Sequence, residues 1–296
     1  MARVSPVRIW IMAARPRTLP AAIAPVLVGT ALGATERDLR VGGFIAALLG
    51  AIFIQVGTNL SNDYSDARRG ADTEERLGPV RVTAGGLVPP RQVLVATYVS
   101  FALAVLCGVY LVVLAGPLLL LIGALSILAG VLYTGGPRPY GYEGLGEVFV
   151  FTFFGLVAVA GSYYVQAEQV TWEALVLAVP VGLLASAILV VNNVRDLDTD
   201  RRAGKRTLAV RLGRQRARTL YELMVYGAFV TAPLPWVLGA LSAWLLLPIV
   251  LLPLAVQLAR TVRSHTDGPT LNGALARTGM LQLLFCTLLA TGLLLS

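Results

Sequence analysis

The sequence predicts an all-α, polytopic membrane protein: a single domain, residues 1–296, of nine transmembrane helices in a bundle with two Asp-rich cytoplasmic motifs. Three observations carry that reading. Of the 296 residues, 56% are hydrophobic and 14% charged, where a soluble chain has about 25% charged. Apolar runs of the roughly 20 residues that cross a bilayer recur along the chain. Lys and Arg fall on alternate segments between those runs, and segments rich in them stay cytoplasmic.

The first span, 18–34, follows a basic start, MARVSPVRIW, and has some features of a cleaved leader. Pro16, Pro20 and Pro25 interrupt the N-terminal run, so a retained helix is expected. The second span, 43–65, runs uncharged through FIAALLGAIFIQVGTNL and then meets charge abruptly: eight of the fifteen residues from Asn62 to Arg76 are charged. Spans 92–115 and 117–134 are divided by the turn pair Gly116-Pro117, and Gly135-Gly136-Pro137 follows. Spans 146–166, 173–195, 218–239, 241–261 and 273–295 complete the set. No stretch outside them is long enough for a second domain.

With the N-terminus inside, 21 of the 24 Lys and Arg residues lie on the inner face. The outer loops hold only Arg37 and Arg40, and Arg277 lies within the ninth span. The expected location is therefore the cell membrane, multi-pass, with the N-terminus and acidic loops cytoplasmic. The net charge of +8 is thus a basic inner face, suited to anionic lipid or to an anionic substrate. No nucleic-acid recognition fold is present in the pattern, so nucleic acid is not an expected partner. Cys107 and Cys286 sit in apolar runs and read as packing residues. His265, the only histidine, lies in a short polar linker, which argues against histidine acid–base chemistry.

The acidic segment has an echo. Asn59 to Thr73 and Asn193 to Thr207 align without a gap at an offset of 134 residues: Asn, two residues, Asn or Asp, three residues, Asp, three residues, Gly, two residues, Thr. Four spans separate the copies, so both face the same side as a parallel repeat. Residues four apart share a helix face. Asn62 therefore pairs with Asp66, and Asp196 with Asp200. Asn59, Asn192 and Asn193 continue those faces one turn deeper. Grouped carboxylates repel unless a cation sits between them. Oxygen donors without His or Cys select a hard ion, Mg²⁺ or Mn²⁺. Such an ion is usually shared with substrate phosphates. Interleaved cations would contact those phosphates, and the candidates are Arg15, Arg81, Arg138, Lys205 and Arg206. No Walker A motif is present, so a diphosphate on a lipid tail is expected rather than a nucleotide. An ion-coupled transporter is the rival class. Acids clustered at the inner helix ends, mixed with Arg, argue against it.

Together these residues resemble the UbiA superfamily of intramembrane prenyltransferases, over nearly the whole chain. Asn62-x-x-x-Asp66 looks like its first Asp-rich motif and Asp196-x-x-x-Asp200 like its second. A further acid usual in the first motif is Gly70 here, with Asp72 just after. That departure resembles the branch acting on 1,4-dihydroxy-2-naphthoate. Shared features are Arg15 to Pro20 (RPRTLP), Asp72 to Arg81, Tyr133 to Arg138 (YTGGPR), Leu145-Gly-Glu147, Tyr163 to Gln166 and Asn192-Asn-x-Arg-Asp196.

The resemblance implies Mg²⁺-dependent transfer from polyprenyl diphosphate to 1,4-dihydroxy-2-naphthoate in menaquinone synthesis. Asp66, Asp196 and Asp200 would be catalytic, and Asn62 would join them around metal. Arg138 is the basic residue expected after the fourth span. Pocket candidates are Asn59, Asp63, Tyr64, Asp72, Tyr133, Tyr140, Glu147, Phe153, Tyr163, Asn192 and Asn193. A prenyltransferase of the same fold with another aromatic or lipid acceptor is the alternative.

Overall fold

The computed structural model describes residues 5–71 and 77–296. Asp72 and the rest of the 72–76 stretch lie outside the described residues. The described residues form helices joined by turns and irregular segments, with no strand among them. Its long helices are α1 (Pro6–Ala14), α2 (Leu19–Ala34), α3 (Val41–Arg68), α4 (Pro90–Ala115) and α5 (Leu118–Leu132). They continue as α6 (Gly146–Ala167), α7 (Trp172–Arg202), α8 (Arg214–Thr231), α9 (Ala243–Ser264) and α10 (Gly268–Leu294). Short turns at Pro16–Thr18, Tyr140–Glu143, Leu208–Leu212 and Leu234–Val237 lie between them.

Local chemistry explains the boundaries. Ser5 caps α1, its side chain accepting from the Arg8 N–H, with Pro6 in the first turn. Asp267 caps α10 by accepting from the Thr270 N–H. Gly116, at φ 100°, ends α4 in a conformation that disfavours a side chain. Pro233 and Pro235 close α8. The expected span 218–239 is accordingly a helix at 214–231 followed by a short turn. Pro248 and Pro253 lack donors, and the first part of α9, Ala243–Leu251, winds as a 3₁₀ helix.

Seven helical stretches among the described residues are long and apolar enough to cross a bilayer: Pro6–Ala34, α3, α4, α6, α7, α9 and α10. α5 is apolar but has only 15 residues. α8 opens with Arg214, Arg216 and Arg218, which lowers its hydropathy. Large apolar side chains face outward along α4 and α5, including Leu106, Val113 and Leu120. These are the surfaces that lipid covers.

The core is built by α2, α6, α7, α8, α9 and α10 around α7, whose Leu177, Val181 and Leu184 are fully buried. Small residues bring helix backbones close, as bilayer packing requires. A Cβ on Gly155 would lie 2.6 Å from Gly182 Cα, and one on Gly29 would run into the Val159 carbonyl oxygen. At Phe151–Val157, beside the Gly155 contact, α6 widens into a π-helical turn. Such turns re-aim side chains at functional sites.

Candidate active site

α3 and α7 do not stop where their apolar runs stop. Both continue through the acidic motifs, to Arg68 and Arg202. The motifs are thus the last turns of two long helices rather than loops. Their i, i+4 pairs share a face as the spacing predicts.

One cavity of about 280 Å³ receives both faces. Asn59, Asn62 and Asp66 line it from α3; Asn192, Asn193, Asp196 and Asp200 line it from α7. Arg15, Arg81 and Lys205 also reach its wall. Fifteen residues before the acids, Ala51 and Ala185 line the same cavity. At 1.5 Å per residue the cavity therefore extends about 22 Å along the helices. Its other walls are apolar and aromatic, with Ile54, Tyr133, Phe149, Phe153 and Phe154.

The polar end is a network. Asp66 is the hub: Tyr142 Oη donates to its Oδ1 at 2.5 Å, and Arg81 Nη2 to its Oδ2 at 3.1 Å. Lys205 Nζ stands 3.9 Å from the same oxygen and 4.8 Å from the Tyr142 ring centroid. Asn62 Oδ1 accepts from Thr134 Oγ1 at 2.8 Å. Asp196 is held by its neighbour Arg195, whose Nε and Nη2 donate to its two oxygens at 2.8 and 2.5 Å. Carboxylates in one cavity are thus neutralised by guanidinium and ammonium groups of the chain itself.

Asn59 and Asn193 occupy equivalent repeat positions but bind differently. Asn59 Nδ2 donates to the Ala14 carbonyl at 2.9 Å and to Thr18 Oγ1 at 3.1 Å, fixing the α1–α2 junction. Arg15 sits at that junction with φ 54°, a strained conformation for a residue with a side chain, and its Nη2 reaches the Asn59 carbonyl at 3.4 Å. Asn193 Nδ2 instead donates to Glu147 Oε1 at 2.8 Å, so the buried Glu147 braces the cavity wall from behind. Tyr133 meets Tyr140 edge-on at 5.4 Å, and Tyr140 stacks on Phe149 at 3.9 Å. Burial pushes the Tyr140 phenol up, so it stays protonated and donates to the Ala129 carbonyl at 2.8 Å.

Several expected residues lie elsewhere. Arg138 and Arg206 are exposed and absent from the cavity wall. Arg138 stands in the turn that Gly135-Gly136-Pro137 opens, which faces solvent. Arg206 contributes its backbone N–H, which donates to the Tyr142 carbonyl at 2.8 Å. Asp63 points off the motif face and accepts from the N–H groups of Val82 and Thr83 at 3.1 and 2.9 Å. It anchors the segment that carries Arg81. Tyr64 accepts from Arg68 outside the cavity. Tyr163 hydrogen-bonds Glu36, which follows α2 at the other end of the bundle. Tyr142, Thr134 and Arg195 hold the acidic motifs in place, and none of them falls on the i, i+4 pattern of the acids. The aromatic density of Tyr133-to-Tyr142 was the available signal for Tyr142.

The donor set suits a hard cation. Asn62, Asp66, Asp196 and Asp200 offer only oxygen, and neither His nor Cys lines the cavity. Among the described residues no three acidic, His or Cys side chains gather around one point. The arrangement fits an ion that takes one or two protein oxygens and completes its shell from water and phosphate, as Mg²⁺ does. It does not fit an ion caged by protein alone.

A helical membrane bundle with two acidic helix ends on one amphipathic cavity defines an intramembrane enzyme class. The chain belongs to the UbiA prenyltransferase family, whose pattern matches residues 22–294. Among curated proteins it is 45% identical to the 1,4-dihydroxy-2-naphthoate octaprenyltransferase of Mycobacterium tuberculosis, over 96% of each chain. It is 37% identical to the Escherichia coli protein of the same name, over 99% of this chain and 97% of that one. Among solved structures, a UbiA homologue from Archaeoglobus fulgidus bound to GPP and Mg²⁺ shares the fold. Its TM-score is 0.69 at 15% identity, over 97% of this chain and 100% of the other.

Proposed function

We propose that the protein transfers a polyprenyl group from polyprenyl diphosphate to 1,4-dihydroxy-2-naphthoate, releasing diphosphate and CO₂, in menaquinone biosynthesis. The observation that carries this reading is one cavity with acids and cations at one end and an aromatic, apolar wall beyond. The 45% identical relative bears the matching name.

The diphosphate occupies the polar end and the prenyl tail lies along Ile54, Phe149 and Phe153. Asn62 with Asp66, and Asp196 with Asp200, are the groups that hold divalent metal, Mg²⁺ or Mn²⁺. When bound, the metal supplies positive charge to the leaving diphosphate. Arg81 and Lys205 add fixed charge there, and Arg15 reaches the same end. The allylic C–O bond breaks, its electrons going to the diphosphate. Tyr133 and Phe153 present ring faces to the developing carbocation, Tyr140 being stacked on Phe149, and the apolar wall excludes water from it. The electron-rich ring carbon that bears the carboxylate forms the new C–C bond. The carboxylate leaves as CO₂, and the electrons of that bond restore the aromatic ring. The product is the reduced form of demethylmenaquinone. No proton has to be removed, which suits a cavity without histidine.

The whole chain acts as one unit in nine passes, α5 and α8 adding to the seven long stretches. The basic ends of α3 and α7 face the cytoplasm, the N-terminus is inside, and the membrane is the cell membrane. Acceptor choice tests the function directly. Purified protein in vesicles is given polyprenyl diphosphate, Mg²⁺ and one of three acceptors: 1,4-dihydroxy-2-naphthoate, 4-hydroxybenzoate or glycerol phosphate. Mass spectrometry should find a decarboxylated, prenylated naphthalene diol from the first alone. A prenylated product from another acceptor, with none from the first, rejects the assignment.

A further inference from the structure

Side chains outside the proposed chemistry connect the second acidic motif to the segment that carries Arg81. Arg195 is only 2% exposed. Besides its two bonds to Asp196, its Nη2 donates to Asn192 Oδ1 at 2.8 Å and its Nη1 to Asn272 Oδ1 at 2.6 Å. Asn272 lies near the start of α10. Because its carbonyl oxygen faces the guanidinium, its amide nitrogen points the other way, and it donates to the Leu77 carbonyl at 2.9 Å. Leu77 packs at the same place: a Cβ on Gly268 would lie 3.1 Å from Leu77 Cβ. Four residues on, Arg81 reaches Asp66, and Val82 and Thr83 donate to Asp63. Residues 77–83 thus run from the second motif to the first, hydrogen-bonded at both ends.

We propose that Asn272 and Arg195 are positioning residues that couple the two motifs: Asp196 orients Arg195, Arg195 orients Asn272, and Asn272 sets Leu77 and hence Arg81 over Asp66. An asparagine suits this post because it accepts on one side and donates on the other. Aspartate there keeps the Arg195 contact and loses the donor to Leu77. The consequence for substrate rests on the proposed function; the link itself is a property of the substrate-free chain.

The test is a cross-link. Leu77→Cys and Gly268→Cys are introduced into a chain with Cys107→Ser and Cys286→Ala. Disulfide Cβ separations average about 3.8 Å, so a small shift suffices. Mild oxidation should link the pair, read by mass spectrometry of the joined peptides. Adding Asn272→Asp should slow linking about 5-fold, the loss expected from one hydrogen bond of about 1 kcal/mol. Asn272→Ser, a shorter side chain that still donates and accepts, is carried in parallel and should fall between them. In the chain without the added cysteines, Asn272→Asp should lower kcat/KM for prenyl diphosphate about 5-fold, leaving the acceptor KM within about 2-fold. Equal linking rates for Asn, Ser and Asp, no link in the parent, or an acceptor KM changed as much as kcat/KM for prenyl diphosphate would overturn the proposal. Linking needs no turnover, so failure of the proposed reaction leaves this test intact.

Discussion

Asp66 takes a hydroxyl, a guanidinium and a nearby ammonium at once, from three separate parts of the chain. Together these partners aim the carboxylate before substrate arrives, which lowers the reorganisation that binding requires. Tyr142→Phe removes one donor to a charged acceptor, a bond of about 1.5–3 kcal/mol. The kcat/KM for prenyl diphosphate should therefore fall about 10- to 100-fold in steady-state assays, with folding retained. A change below about 2-fold would mean that Tyr142 is spectator packing. The spacing of Asn62, Asp66, Asp196 and Asp200 was legible in the sequence because a helix makes i and i+4 neighbours. Tyr142 was not, because it lies 76 residues from Asp66 and only the fold brings them together. Arg138 and Arg206 show the converse. Their charge in a basic loop is visible in the sequence, but whether a loop side chain turns inward depends on turn geometry, and both are exposed.

At the scale of elements, helix continuity decides where the chemistry sits. α3 and α7 run past their apolar stretches because nothing in Asn59-to-Arg68 or Asn193-to-Arg202 breaks a helix, and Gly70 and Gly204, both with positive φ, come after the motifs. The approach of α6 to α7 then fixes the cavity wall. Gly155→Val should force the two helices apart at Gly182, and overpacking of this kind costs about 1–3 kcal/mol. The midpoint of thermal unfolding in detergent should fall, and activity with it. An unchanged midpoint would show that the contact yields freely. The long apolar helices were readable from hydropathy alone. The short α5 was readable too, between Gly116-Pro117 and Gly135-Gly136-Pro137; the π-helical turn at Phe151–Val157 was not, because it follows from packing against α7 rather than from local sequence.

At the scale of the whole molecule, the two aligned acidic segments neutralise an acid in different ways. In the first, Asp66 is met from a distance by Arg81 and Lys205; in the second, Asp196 is met by adjacent Arg195. The two segments close on one cavity, so neither acidic motif should suffice alone. Chelation with EDTA should abolish turnover, and Mg²⁺ should restore it. The most direct measurement is prenyl transfer by Asp66→Ala and Asp196→Ala, made separately and assayed in vesicles with polyprenyl diphosphate, 1,4-dihydroxy-2-naphthoate and saturating Mg²⁺. Each substitution should reduce kcat/KM at least ~100-fold, about 2.7 kcal/mol of transition-state stabilisation. Near-normal turnover in either variant would contradict a clamp built from both motifs.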